Sequence, residues 1–251
     1  MKTTLKVTPA VLLVSCMATL NLPAQLKMSK FELGANLATF IYQGDLTPSK
    51  IGSFTTMKLG AGIYGNYKLD KIFFLKTSLM FGRLKGDESR YAIPSYRQKR
   101  NFAFTTPVTE ISESVVWNIL PPANEGGARL SPYIAAGVGY VFLHIKRDYS
   151  NYDLAYFGAE SPITTGLIAD TAHRLPRGLA VFPVSAGIRY ALSNNLSLNL
   201  ETAYRLNSSD YLDGFSQGAN PAKKDHFFTN AIGLTYSVGK KSMLACPKLK
   251  Y

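Results

Sequence analysis

Side chains that carry most enzyme chemistry are scarce in this chain of 251 residues. There are three histidines, His144, His173 and His226, and two cysteines, Cys16 and Cys246. Acyl hydrolysis needs a serine held against a histidine, and a carboxylate-assisted protease needs Asp beside His. Asp225-His226 comes nearest, but it opens a segment of period 2, in which sequence neighbours point to opposite faces. Gly137-Val138-Gly139 lies inside an extended segment with no helix after it, so it is not a nucleotide-phosphate loop. Cys246 has neither Cys nor His at ligand spacing. These residues imply no enzyme, no cofactor, no metal and no small-molecule substrate.

A second group of chemically capable residues is charged and spaced along alternating segments: Glu32, Lys68, Lys76, Glu110, Arg189, Glu201 and Arg205. The elements that would position them are strands. Period-2 segments run over Phe31–Tyr42, Thr55–Lys68, Ile72–Lys85, Asn101–Ile119, Ser131–Lys146, Leu179–Leu192, Leu196–Asn207 and His226–Gly239. Connections between these eight strands alternate in size. Gln43–Phe54, Gly86–Arg100, Arg147–Gly178 and Ser208–Asp225 are long; Leu69–Lys71, Leu120–Leu130 and Ser193–Asn195 are short. Long loops at one end and short turns at the other belong to an antiparallel up-and-down transmembrane β-barrel, all-β, with periplasmic turns and extracellular loops.

The faces of the strands support that choice over a soluble barrel. Phe182, Val184, Ala186, Ile188, Tyr190 and Leu192 oppose Pro183, Ser185, Gly187, Arg189 and Ala191. Ile134, Ala136, Val138, Tyr140 and Phe142 oppose Ala135, Gly137 and Gly139. A water-facing surface would be rich in Lys and Glu, whereas this second face is small or sparsely charged, as suits a filled lumen with lipid outside. Tyr42, Tyr67, Tyr133, Tyr190, Tyr204, Tyr236 and Trp117 are expected in interfacial girdles. Strict alternation sends Glu113 and Asn230 to the lipid face, and a bulge near Pro107 would reset the fourth strand. Eight strands enclose just enough room for side chains, so the seven charges should pair inside. Pairing Leu192 with Leu196 puts Arg189 opposite Asn199 and diagonal to Glu201, its expected partner.

Composition agrees. The charged fraction is 18% and the apolar fraction 46%, with 15 Tyr and 14 Phe. Mean hydropathy is about zero, and no run of 18 apolar residues follows the N-terminus, which excludes a bundle of membrane helices. A net charge of +12 raises nucleic acid as a partner. Its cations are scattered, and the chain reads as exported, so nucleic acid is not expected. Residues 1–24 read as a signal peptide: Lys2 and Lys6, an apolar stretch to Leu20, then Ala24 before Gln25. Leu13-Val14-Ser15-Cys16 offers the rival reading of a lipidated Cys16. The barrel would occupy 25–239 and a periplasmic tail 240–251, with Cys246 the single thiol after cleavage at Ala24.

Short motifs carry a resemblance. They are Gln43-Gly44-Asp45-Leu46, Leu84-Lys85-Gly86-Asp87, Arg100-Asn101-Phe102, Ser131-Pro132-Tyr133 with Gly137, Gly187-Ile188-Arg189-Tyr190, and Tyr204 with Ser209-Asp210-Tyr211-Leu212-Asp213. They resemble a family of small outer-membrane barrels from Bacteroidetes that includes PorG of the type IX secretion system. Gly214-Phe215 departs from the PorG pattern. The resemblance implies an eight-stranded barrel and marks Gln43, Gly44, Asp45, Asp87, Asp210, Tyr211 and Asp213 as loop-motif residues. It further implies a structural adaptor in the outer membrane, with lipid and periplasmic secretion-ring proteins as partners. The alternative is a small OmpA- or OprF-like barrel serving envelope integrity or surface binding.

Overall fold

The computed structural model describes residues 30–207, 209–220 and 224–238. The expected signal peptide, Cys16 and the tail with Cys246 lie outside the described residues. Strands β1 (Phe31–Gln43), β2 (Lys58–Lys68), β3 (Phe73–Asp87), β4 (Ala103–Asn118), β5 (Leu130–Leu143), β7 (Gly178–Ala191), β8 (Leu196–Leu206) and β9 (His226–Val238) form the wall, and β6 (Lys146–Asp148) is a short addition. Each wall strand pairs antiparallel with the next, and β9 returns to β1, closing an eight-stranded barrel with no open edge. Closure satisfies every ladder within the wall, which lipid demands because it offers no hydrogen bonds. Three short helices, α1 (Tyr96–Arg100), α2 (Leu154–Phe157) and α3 (Pro162–Ala172), lie in the long loops.

Two expectations need correction. No bulge resets β4: Arg83 pairs with Pro107, and the β3–β4 register is unbroken from Phe73↔Trp117 to Asp87↔Ala103. Pro107 instead interrupts the ladder on its other side. There β5 ends at Leu143 and β6 resumes at Lys146 in the same register with β4. Glu113 and Asn230 therefore stay on the outer face, and each has a threonine directly across the ladder. Thr77 donates to Glu113 at 2.6 Å, and Thr202 donates to Asn230 at 2.8 Å. Finally, Tyr42 and Tyr133 point inward and are buried, so they leave the expected girdles, while Tyr67, Tyr190, Tyr204, Tyr236 and Trp117 stay on outward positions.

The interior changes character along the barrel axis. Polar and charged side chains dominate the half nearest the short turns, around a small cluster of Phe74, Val116, Tyr133 and Ala135, and the Glu110–Arg205 pair reaches up to Met80, Val141 and Phe227. Phe40, Met80, Leu84, Phe104, Val108, Val141, Val181 and Phe227 fill the other half and join Leu46, Phe102, Leu167, Leu212 and Phe215 from the loops. One apolar core thus runs from the barrel mouth into the loops above it.

Candidate functional site: a plugged lumen under a stapled cap

The seven lumenal charges all find partners, though not all as expected. Arg189 lies opposite Asn199 in the β7–β8 register, as the turn at Ser193–Asn195 dictates, and donates to its Oδ1 at 3.3 Å. Its ion partner is Glu32 across the lumen on β1, at 3.1 Å, and not the diagonal Glu201. Asn66 and Ser237 also donate to the Glu32 carboxylate. Glu201 pairs instead with Lys76 at 2.7 Å and accepts from the Tyr133 hydroxyl at 2.9 Å. Arg205 reaches Glu110 at 3.0 Å and also donates to Thr229. Lys68 pairs with Glu125 in the β4–β5 turn. A guanidinium spans the lumen where a diagonal on one wall would leave the opposite carboxylate unserved. The space left among these groups is about 20 Å³, lined by Asn36, Tyr64, Tyr133 and Asn199. That is room for about one water, not a pathway.

The motif residues from the loops after β1 and β8 meet at the opposite end. Tyr42, at the top of β1, places its hydroxyl 2.6 Å from both Asp213 and Asp225. Gly44 lies against this group, where a Cβ would collide with the Tyr42 ring and the Asp225 carboxylate. Asp45 accepts from the backbone N–H of Asn220 at 3.0 Å, and its own carbonyl accepts from Arg97. Gln43 accepts from Tyr204 at 2.7 Å. Asp210 accepts from Ser216, and Tyr211 stacks on His173 with ring centroids 4.1 Å apart while its hydroxyl reaches Asp170. Asp87 stands apart on the outer surface with Lys85 and Arg90. Burial, with Asp45 and Asp210 close by, pushes the Asp213 carboxyl up to about 8. Burial and the neighbouring Asp213 hold Asp225 well above the usual carboxylate range.

Two further carboxylates, invisible as site residues in the sequence, staple the loops together. Glu88 is fully buried and accepts from Arg97 at 2.8 Å and from two nitrogens of Arg100, at 2.5 and 2.8 Å. Asp170, near the end of α3, accepts from the backbone N–H groups of Ser216, Gln217 and Gly218 at 3.0, 3.0 and 2.8 Å. Arg100 also reaches the carbonyl of Gly218, and Arg147 donates to the carbonyls of Asp170 and Gly214. Lys99 pairs with Asp153 at 3.1 Å. All four long loops are therefore tied to one another. The overlooked signal was the apolar residues inside those loops, Leu46, Phe102, Leu167, Leu212 and Phe215, which solvated loops have no reason to carry.

Catalytic geometry is a separate question. His226 lies outward beside the Tyr204 ring while Asp225 is buried inward, so the pair splits as strand alternation requires. Among the described residues, no cluster of His, Cys, Asp and Glu is arranged to hold a metal ion.

A closed eight-stranded wall with an apolar outer belt and a plugged lumen is the architecture of an outer-membrane barrel. The outer membrane protein beta-barrel domain matches residues 10–239. The chain belongs to that family. Family membership makes it an integral outer-membrane barrel. No curated protein matches its sequence significantly. Solved structures similar to it include Neisserial surface protein A, at 14% identity over 83% of this chain and 97% of that one, with a TM-score of 0.47. Ail, the attachment invasion locus protein of Yersinia pestis, solved with the heparin analogue sucrose octasulfate, is 12% identical over 82% and 96%, with a TM-score of 0.44. The Pseudomonas aeruginosa outer membrane protein OprG is 10% identical over 82% and 94%, also with a TM-score of 0.44. An outer-membrane enzyme, PagL, is also among these structures, at 10% identity and a TM-score of 0.36. Likeness at this level is of fold alone.

Proposed function

We propose that this family member is a non-enzymatic, non-conducting barrel of the small OmpA-like kind, which holds a preformed extracellular surface in the outer membrane for envelope integrity or surface binding. One observation carries the reading: the lumen is filled by paired charges below and an apolar core above, and four long loops are stapled over its mouth. A channel would leave a continuous wet path, and a mobile lid would leave its loops unanchored. On the cap, Ile93, Tyr156 and Ile168 remain exposed on anchored backbone, which suits binding to a preordered surface. The refolded protein in planar bilayers should give no stable single-channel conductance, and cells lacking it should become sensitive to detergent while secretion continues. Steady conductance would overturn the reading.

The secretion-system adaptor reading rests on the motif residues. The loop-motif residues Gln43, Gly44, Asp45, Asp210, Tyr211 and Asp213 gather in the cap at the long-loop end and Asp87 lies on the outer wall, while Ser131-Pro132-Tyr133 and Gly187-Ile188-Arg189-Tyr190 lie beside the short turns. Crosslinked pull-down from outer membranes separates the two: recovered ring proteins would favour the adaptor.

A further inference from the structure

Outward-facing residues of β3, β4 and β5 change abruptly at one height. Below it they are Leu79 and Phe81 on β3, Ile111 and Thr109 on β4, and Tyr140 and Phe142 on β5, in matching register. Phe81 and Phe142 are exposed on the outer wall. The next row holds Arg83, Pro107 and His144; the row after it holds Lys85, Thr105 and Lys146, with Thr105 paired to both lysines' strands. From Phe73 to Phe81 the outward belt of β3 spans nine residues, and that of β5 from Ile134 to Phe142 spans nine more, about the height of the hydrocarbon region for tilted strands. The cations therefore begin where the hydrocarbon ends.

On the outward face of the wall these paired rows of cations occur on one side. At the same end, the outward positions of the other strands are Ile41 and Gln43 on β1, Leu59 on β2, Ala180 on β7, Leu206 on β8, and Phe228 and His226 on β9. None is Lys or Arg. Elsewhere at this end the exposed cations Lys58, Arg174, Arg177 and Lys224 stand at strand starts or in the loops, whereas on β3, β4 and β6 they form two consecutive rows on the outer wall itself. The acids nearby are Asp87, which pairs with Lys85 at 3.3 Å and Arg90 at 3.6 Å, and Asp148, which accepts from Ser150. Counted with them, the patch keeps a positive excess from Arg83 and Lys146.

We propose that the outer face of β3, β4 and β6 is a binding site for a lipid of the outer leaflet that bears more than one phosphate. Its phosphates lie on Arg83, Lys85 and Lys146, with the Thr105 hydroxyl between the lysines, and its acyl chains run down over Phe81, Thr109 and Phe142. The backbones of Lys85 and Lys146 stand about 10 Å apart across Thr105, and with Arg83 one row below them they offer three cations over an area wide enough for two phosphate groups. The inference depends on the barrel's membrane placement and is independent of what the cap binds.

Native mass spectrometry of the full chain released from detergent tests it, with bis-phosphorylated lipid A, its mono-phosphorylated form and phosphatidylcholine as probes. Retention should fall in that order. The triple variant R83Q/K85Q/K146Q should lose about a hundredfold in lipid A binding, about fivefold per cation near an anionic surface, and still shift in gel migration on heating. A charge-matched variant, K50Q/K58Q/K71Q, should bind as the parent does. Equal retention of the three lipids by the parent protein, which needs no variant to fold, would overturn the site. So would equal losses in both variants, or soluble inorganic polyphosphate binding as tightly as lipid A.

Discussion

Asp213 and Asp225 face one another across the Tyr42 hydroxyl, which lies 2.6 Å from a carboxylate oxygen of each. A hydroxyl has one hydrogen, so it donates to one carboxylate, and the other carboxyl must keep its own proton and donate to the Tyr42 oxygen. All three groups are buried beneath the loop after β8. Two neighbouring carboxyls removed from water resist double ionisation, which is why the pair is held protonated above the ordinary range.

The sign of the pH dependence follows. Carboxyls whose folded pKa is raised stabilise the fold at low pH, and that contribution is lost as pH rises through about 8 at Asp213. The strands do not depend on this pair, so the loss should appear as local opening of the cap. Hydrogen exchange across residues 209–220 should quicken between pH 6 and pH 9 by more than chemical exchange alone accounts for, while β1 to β5 stay protected. Asp213→Asn removes the second charge and should flatten the dependence. A parent protein with pH-independent protection in this loop would contradict the shared-proton arrangement.

Gly44 is the residue that lets the pair close. A methyl group there would meet the Tyr42 ring and the Asp225 carboxylate, neither of which has space to retreat. Gly44→Ala should cost about 1–3 kcal/mol, the usual range for overpacking a filled interior. The cost should appear in protease sensitivity of the loops, with heat-modifiable migration of the barrel retained. Unchanged protease resistance would mean the Tyr42 group relaxes more easily than its packing suggests.

What was legible in the sequence, and what was not, follows from the range of the interactions. Period-2 alternation and a three-residue turn are local, and they place Arg189 opposite Asn199 as the structure has it. The choice between Glu32 and Glu201 as its ion partner depends on which strands face each other across the closed lumen, and no local pattern carries that. Tyr42 and Tyr133 were misplaced because a tyrosine at a strand end resembles a girdle residue, although alternation along β5 already turned Tyr133 inward. Pro107 reads locally as a reset, yet it is tolerated in register because the partner strand breaks there. The cap was illegible because loops have no period. Asp170 gains its role only from donors brought by another loop, and Glu88 from arginines nine and twelve residues on that also reach Asp45 and Gly218 in other loops.

The corrected ion pairs make a prediction about coupling. Arg189→Ala and Glu201→Ala should show little coupling, since neither removes the other's ion partner. Arg189→Ala with Glu32→Ala, and Lys76→Ala with Glu201→Ala, should each lose less than the sum of the single effects. Breaking one buried pair costs about 3–5 kcal/mol, much of it from the charge left behind. Urea-driven unfolding of the four singles and three doubles from lipid vesicles provides the measurement. A large coupling between Arg189 and Glu201 with none between Arg189 and Glu32 would restore the diagonal pairing and refute the one across the lumen.

The last prediction concerns Asp170, which gathers three consecutive backbone N–H groups of another loop. Those donors cannot turn to water without moving, because Leu167 and Phe215 pack beside them in the core that fills the cap. Asp170→Ala would leave the N–H groups of Ser216 and Gly218 buried and unserved, at about 1–3 kcal/mol each if the loop stayed in place. A cap tied at several points need not bear that sum, since segment 216–218 can lift away and hydrate instead. The expected result is therefore local: rapid proteolytic cleavage in the loops bearing α3 and Gln217, with the strands intact and migration still heat-dependent. Asp170→Asn keeps one acceptor oxygen and loses the charge, so it should fall between the two. Cleavage of Asp170→Ala no faster than the parent would show that Glu88 and the apolar core hold the cap closed without this carboxylate.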